Sequence, residues 1–463
     1  MIKRVLILTA WMAFLVYFTG CQWADSRGPL EVSEENPGYF TDRSGKAVYL
    51  TGSHTWNNLV EMSASPDQDP FDYDEYLDFL EHYHHNFFRL WAWDLLTWNT
   101  SGNREENSKT ISVYPQPWLR TGPGLALDGE PRFDLTAFNP EYFQRLGERV
   151  QKAADRHMYV SVMLFEGWGT QFSPGAYPNH PFHPSNNLQN LPLSPEDTLG
   201  LSIYTLDHQE VTRLQEAYVR KVIETVNEFD NVLYEISNEN HPGSTGWQYH
   251  MIRFIKQTES GMGKSHPVGM TFQYRGGSNQ SLFDSPADWI SPNPEGGYRD
   301  DPPASTGAKV IISDTDHLWG IGGNRQWVWL SFFRGLNPIF MDAYDGTVLE
   351  RGARTDWAEE IRTAMGIARQ MAGRIDLLHC VPSGHLSSSA YCLAHPGREY
   401  LVYVPDDEPV TLDLEGTRGT FRTTWFSALD GREEAGQLVE GGKQLRLSSP
   451  FREGEAVVHL KKK

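Results

Sequence analysis

Val232-Leu233-Tyr234-Glu235-Ile236-Ser237-Asn238-Glu239-Asn240-His241 is the stretch on which the reading of this chain turns. It opens as a short apolar run, with Val232, Leu233 and Ile236, of the kind that suits a strand covered on both faces. It then ends on Asn-Glu-Asn-His. A strand buried on both faces has little reason to finish in four polar, chemically capable residues unless its end opens into a site. Where parallel strands close into a barrel, reacting groups sit at the strands' C-terminal ends. The pair Asn238-Glu239 alone is also compatible with an incidental strand-end Glu, so the rest of the chain must supply the other strands.

It supplies them in alternation with helices. Residues 37–50 read as an opening hairpin, and its second arm runs into a first strand, 51–56, tipped by His54 and Trp56. Asp69-Pro70 signals a helix start, with Tyr73, Tyr76, Leu77, Leu80 and Tyr83 at helical spacing. Strand two is 85–94, carrying Arg89 and ending on Trp93-Asp94. The segment 95–136, with Trp98, Tyr114 and Trp118, is too long for a connector and reads as a cleft wall. Asn139-Pro140 starts the next helix, strand three (158–165) ends on Glu166-Gly167-Trp168, and a second long loop spans 180–206. Asp207, with Glu210 three residues on, caps the helix before strand four.

A helix over 247–258 follows, then strand five (267–274, tipped by Gln273 and Tyr274) and strand six (288–293, ending on Asn293). Strand seven (309–314) continues through Thr315-Asp316-His317-Leu318-Trp319-Gly320, and strand eight (337–342) ends on Asp342 after a helix over about 325–334. A last helix covers 356–372. Eight strand–helix pairs, the fifth and sixth helices short, predict an α/β fold: a (β/α)8 TIM barrel over 37–374. From 375 the period changes. Strands around 400–404, 410–414, 421–426 and 456–460, separated by turn residues, predict a small all-β sandwich over 375–463. A stabilising role beside the barrel is preferred for it over carbohydrate binding.

The 463 residues carry a net charge of −20 and are 13% aromatic. The acidity argues against nucleic acid and anionic membrane surfaces as partners, and ring faces suit the C–H faces of sugars. Residues 1–21 read as a targeting segment, with Lys3 and Arg4 before an apolar run from Val5 to Phe18. Phe18-Thr19-Gly20-Cys21 resembles a bacterial lipobox. The resemblance implies lipidation at Cys21, a linker over 22–36, and export to the (outer) membrane, periplasmic or at the cell surface. The remaining cysteines, Cys380 and Cys392, fit either a disulfide or two buried thiols.

The Asn238-Glu239 strand tip and the Asn86-x-x-Arg89 of strand two resemble clan A glycoside hydrolases, the cellulase-like enzymes, over about residues 38–373. That resemblance implies cleavage of O-glycosidic bonds in a polysaccharide or oligosaccharide, with retention as the clan's stereochemical outcome. It makes Glu239 the general acid/base, Asn238 the partner of the hydroxyl beside the anomeric carbon, and Arg89 the residue beneath the nucleophile. The clan places the nucleophilic Glu at the tip of strand seven, where this chain has Asp314-Thr315-Asp316-His317. By strand position Asp314 is slightly preferred, with Asp316 as the alternative or the support.

Glycoside hydrolysis needs two carboxyl groups and no cofactor. An Asp-x-Asp-His run can also hold a divalent cation, but no acidic loop of calcium-binding spacing accompanies it, and no metal is expected. Glu166, His54, Trp56, Trp93, Asp94, Trp168, His241, Gln273, Tyr274, Asn293, His317, Trp319 and Asp342 stand at strand ends as candidate sugar contacts, and any of the tryptophans could equally be core. The rival reading is a non-catalytic glycan-binding lipoprotein on the same barrel.

Overall fold

The computed structural model describes residues 28–103, 108–452 and 454–463. Eight parallel strands form one sheet: β1 (Gly52–His54), β2 (Phe87–Leu90), β3 (Tyr159–Glu166), β4 (Val232–Asn238), β5 (Val268–Thr271), β6 (Trp289–Ser291), β7 (Val310–Asp314) and β8 (Asn337–Met341). They pair in sequence from β2 to β8, and β8 pairs with β1. At the β2–β1 seam, the Asn86 N–H meets the Thr51 carbonyl at 3.0 Å. A Cβ on Gly52 would lie 2.1 Å from the Phe87 carbonyl oxygen, so the two strands approach this closely only because Gly52 has no side chain. The expected eight-stranded barrel is present.

Side chains alternate between its two faces. Phe88, Leu90, Tyr234, Ile236 and Ile311 join the large core shared with the helices. Phe87, Leu233, Val310 and Ile312 join a separate interior cluster. That cluster is stoppered by Phe40, from a three-stranded antiparallel sheet of residues 31–32, 40–41 and 47–48, and by Leu30 just before it. Two residues further along the same inward faces come Arg89, Glu235 and Asp314. The barrel is therefore apolar at its base and charged towards the strands' C-terminal ends.

The helices are α1 (Tyr73–His82), α2 (Pro140–Asp155), α3 (Trp168–Phe172), α4 (Gln209–Val226), α5 (Thr245–Glu259), α6 (Asn279–Phe283), α7 (Thr315–Trp319), α8 (Arg325–Phe333) and α9 (Asp356–Ala372). Asn139 caps α2 as expected, accepting the Glu141 N–H. Two expected caps differ. Helix α1 starts at Tyr73 with Asp72 as its cap, because the preceding chain is tied down by the Phe71 N–H to Glu61 Oε2 at 2.9 Å. Asp207 does not cap α4, since its carboxylate accepts the Thr205 hydroxyl at 3.0 Å. Among the described residues, β6 is followed directly by a 3-10 turn over Glu295–Gly297 in place of an α-helix.

The 95–136 segment is itself folded. Strands Thr97–Asn99 and Thr110–Tyr114 join Glu61–Ser63 in a small sheet, and Trp118–Leu125 pairs with Pro131–Phe138. Beyond the barrel lie a six-stranded and a two-stranded antiparallel sheet. Tyr400, Val402 and Val404 face a core shared by these two sheets, whereas Leu401 and Tyr403 face the barrel. Trp329 on α8 stacks on Tyr403 with centroids 6.2 Å apart and donates its indole N–H to the Ala428 carbonyl at 3.2 Å. Cys380 and Cys392 are both buried and both free, so no disulfide links them. Cys21 and the rest of 1–27 lie outside the described residues. No described helix is long and apolar enough to cross a membrane.

Candidate active site

The strand ends frame a cleft of about 460 Å³. Of the residues expected from sequence, Glu239, Asp316, Asn238, Glu166, His317, Trp56, Trp93, Trp168, Tyr274 and Trp319 line it. Glu239 follows β4 directly and sits at φ 41°, a left-handed conformation that a glutamate seldom adopts. Such backbone gathers at functional sites. Burial, then the neighbouring Asp316 and Glu166 charges, push the Glu239 carboxyl well above the usual carboxylate range.

Strand seven differs from its expected course. The chain leaves the strand at Asp314 and turns at once into α7, so Asp316 stands on a helical turn rather than one inward step along a strand. Asp314 caps that turn by accepting the Asp316 N–H at 2.9 Å. Its oxygens also accept His54 Nε2 at 2.9–3.0 Å and Arg89 Nη1 at 2.9 Å. It is fully enclosed and absent from the cleft wall. Burial would raise its pKa, but the His54 and Arg89 contacts outweigh that and hold it well below the ordinary value. Asp316 faces the cleft; burial and the Asp314 charge push it up to about 7, against the lowering effect of Arg89.

Arg89 ties these groups together. Its guanidinium donates to Glu235 at 2.9 and 2.5 Å, to Asp314 at 2.9 Å, to Asp316 at 3.2 Å and to Asn238 Oδ1 at 2.6 Å. This uses the fixed fork of donors that distinguishes arginine from lysine. Because Asn238 Oδ1 accepts from Arg89, it also accepts from His317 Nε2 at 3.2 Å, and the Ser291 hydroxyl donates to His317 Nδ1 at 2.7 Å. Burial pushes His317 down to about 3, which fits a neutral ring. The Asn238 amide N–H is left for Glu166.

Glu166 closes β3 and accepts the Trp168 and Gly169 N–H groups, both at 2.8 Å, at the start of α3. A Cβ at Gly169 would lie 2.7 Å from Glu166 Oε2, so glycine permits this approach. Burial nevertheless pushes Glu166 up to about 8. Behind it Asp94 accepts the Tyr204 hydroxyl at 2.7 Å, and burial pushes its carboxyl up to about 7.

Several expected sugar contacts are structural instead. His241 Nε2 bonds the Leu201 carbonyl at 3.0 Å. Gln273 is committed to His241, Ser244, Thr245 and Ser281. Asn293 fastens the Gly277 carbonyl and the Glu295 N–H. Asp342 is held bidentately by Arg362 at 2.5 and 2.7 Å. His54, Arg89 and Asp94 lie behind the wall. Sequence reasoning missed Trp91, Phe272, Ile321 and Leu349 as lining residues. Only Trp91, one step beyond β2, carried a signal. Arg299 also lines the cleft, while Arg275 stacks on Phe172 at 4.5 Å.

Asp314, Asp316 and His317 bring potential metal-ligand atoms within 4.8 Å of one another. The Arg89 guanidinium already occupies the space between the two carboxylates, and the His317 nitrogens are both engaged. A metal would have to displace that cation, so the donor set does not fit one.

A barrel of this kind, with carboxylates gathered over its strand ends, has a glycoside-hydrolase-like fold. A glycoside hydrolase family 5 protein from Bacteroides vulgatus ATCC 8482 superposes with a TM-score of 0.62 at 13% identity, covering 94% of each chain. A second solved structure, described as a glycoside hydrolase, gives a TM-score of 0.62 at 13% identity over 94% of this chain and 97% of its own. At such identities the likeness is one of fold. By sequence, residues 103–274 match a family model described as a domain of unknown function, DUF6298. No curated protein matches.

Proposed function

We propose that this chain is a glycoside hydrolase that cleaves O-glycosidic bonds in a polysaccharide or oligosaccharide, with Glu239 as acid/base and Asp316 as nucleophile. The observation that carries the reading is the pairing of these two carboxyls on one aromatic-walled cleft in unlike surroundings. Asp316 receives an Arg89 hydrogen bond at 3.2 Å, which favours its anion. The Glu239 carboxyl receives none from any described residue and is pushed well above its usual range, so the shared proton resides there. That is the division of labour that glycoside hydrolysis requires: one group protonates the leaving oxygen while the other attacks. Asp314, preferred from strand position alone, becomes the enclosed support of Asp316.

The cleft's tryptophans offer faces for sugar rings, and Asn238 and Glu166 offer polar contacts beside them. Export and lipidation at Cys21 complete the proposal, and loss of membrane association in Cys21→Ser would bear on that part separately. The test of the catalytic reading is reducing-end release from a glycan panel by the wild type, Glu239→Gln, Asp316→Asn and Asp314→Asn. Release abolished by Glu239→Gln and Asp316→Asn supports the assignment. Glycan binding that survives every substitution, with no release by the wild type, would favour the non-catalytic binding protein.

A further inference from the structure

An indole N–H can only donate a hydrogen bond. Trp91 Nε1 lies 2.9 Å from His54 Nδ1, so that ring nitrogen is an acceptor and carries no proton. The other ring nitrogen, Nε2, lies 2.9–3.0 Å from both Asp314 oxygens and must be the N–H. Histidine and carboxylate are fully buried, and Trp91 nearly so. A second proton on His54 would set two N–H groups against each other across a 2.9 Å contact. The geometry thus specifies an uncharged histidine.

We propose that Trp91 and His54 are positioning residues: the Trp91 indole locks His54 as a neutral Nε2–H donor to Asp314, and Asp314 in turn holds Asp316 toward the cleft. The inference rests on the hydrolytic reading of the cleft for its consequence, although its geometry stands apart from it. Asp314 passes the constraint on through the Asp316 N–H at 2.9 Å and through Arg89, which reaches both carboxylates. Trp91 also lies beneath that guanidinium, 4.8 Å from ring centroid to Cζ.

The charge count explains why neutrality matters. Among the described residues, Glu235, Asp314 and Asp316 share one arginine cation, Arg89. Glu239 from the end of β4 and His317 from α7 complete the groups facing Asp316, and Asp342 on the β8 side of His54 is neutralised by Arg362. A second positive charge at His54 would stabilise the Asp316 anion further and make it a poorer nucleophile. The indole N–H forbids that charge.

The experiment uses the whole protein with ring-15N-labelled histidine and 13C-labelled aspartate. In the wild type, the ring-15N signals are expected to show His54 as the Nε2–H tautomer. Trp91→Phe keeps the ring but removes the donor. The indole then no longer blocks a second ring proton, and the Asp316 midpoint should fall by about one pH unit. On any glycan that the wild type cleaves, the acid limb of kcat/KM should move with it. His54→Gln, which keeps an N–H toward Asp314, should recover more kcat than His54→Leu. An Nδ1–H tautomer or an imidazolium in the wild type would overturn the proposal. So would a Trp91→Phe protein that loses thermal stability yet keeps the Asp316 midpoint. Should Trp91→Phe fail to fold, the wild-type tautomer and the two His54 variants decide. If no glycan is cleaved, the hydrolase reading fails while the NMR arms still judge this one.

Discussion

The Asp314 carboxylate accepts the backbone N–H of Asp316 at 2.9 Å, which makes one residue the cap of the turn on which the other stands. The two aspartates should therefore respond differently to substitution. Asp316→Asn removes the cleft-facing anion and should abolish turnover with little loss of stability, because a carboxylate raised by burial costs the fold something to ionise. Asp314→Ala strips a partner from buried Arg89 and should cost about 3–5 kcal/mol. Denaturant unfolding beside reducing-end release separates them. Turnover retained by Asp316→Asn would end the assignment.

The raised carboxyls also predict the pH dependence. Their folded-state pKa values exceed the unfolded ones, so their contribution to stability is complete below about pH 4. It is lost as pH rises through about 7 for Asp316 and about 8 for Glu166. Asp314 works in the opposite sense, and its contribution is lost as pH falls below the ordinary carboxylate range. Glu166→Gln should therefore flatten the decline between about pH 4.5 and 8, by up to about 1.4 kcal/mol per pH unit. Urea unfolding at several pH values measures the slope; an unchanged slope would show that Glu166 is ionised throughout.

What the sequence revealed, and what it concealed, follows from how each feature is encoded. Barrel strands show as apolar runs because both faces are covered, and Asn139-Pro140 names its helix start through its own side chain. The turn after Asp314 was hidden, because Thr315-Asp316-His317-Leu318 fits a strand extension until the cap bond to Asp316 is seen. Strand-end position likewise overstated the role of Gln273, Asn293 and Asp342. Their side chains are spent on neighbouring loops and on Arg362, partners that only the tertiary structure identifies. Ile321 and Leu349 reach the cleft from loops without any periodic signal.

Arg89 is expected to resist conservative replacement. Lysine keeps the charge but cannot reproduce a fork that meets Glu235, Asp314, Asp316 and Asn238 together. Arg89→Lys should fold with a lowered midpoint, and Arg89→Met should lose about 3–5 kcal/mol through its unpaired carboxylates. Restoring stability in Arg89→Met by adding Glu235→Gln would identify the uncompensated charge as the cause. Equal midpoints for the wild type and both single variants would refute it.

The C-terminal all-β region shares the barrel's core through Tyr403, Leu401 and Val457, against Trp329 and Phe333 of α8. The two parts should unfold together. Trp329→Ala should cost about 3–5 kcal/mol, as for other large buried side chains, and should lower one cooperative transition. Two separate calorimetric transitions in the wild type would contradict this.

The last prediction concerns stereochemistry. Retaining enzymes hold their carboxyls about 5–5.5 Å apart and inverting ones about 6.5–9.5 Å. An aspartate has one methylene fewer than the glutamate that the clan resemblance leads one to expect at strand seven, which by itself would widen the gap. The turn into α7 carries Asp316 beyond the end of the strand while Asp314 and Arg89 restrain it from below, and we expect this advance to offset the shorter side chain. Direct attack by Asp316 then gives a glycosyl-enzyme and a product of retained anomeric configuration. Proton NMR of the nascent product, read before mutarotation, tests this. Retention, with azide restoring turnover to an Asp316→Gly variant as the inverted glycosyl azide, would support Asp316 as the nucleophile. An inverted product from the wild type would instead make Asp316 the base that activates water across a wider gap.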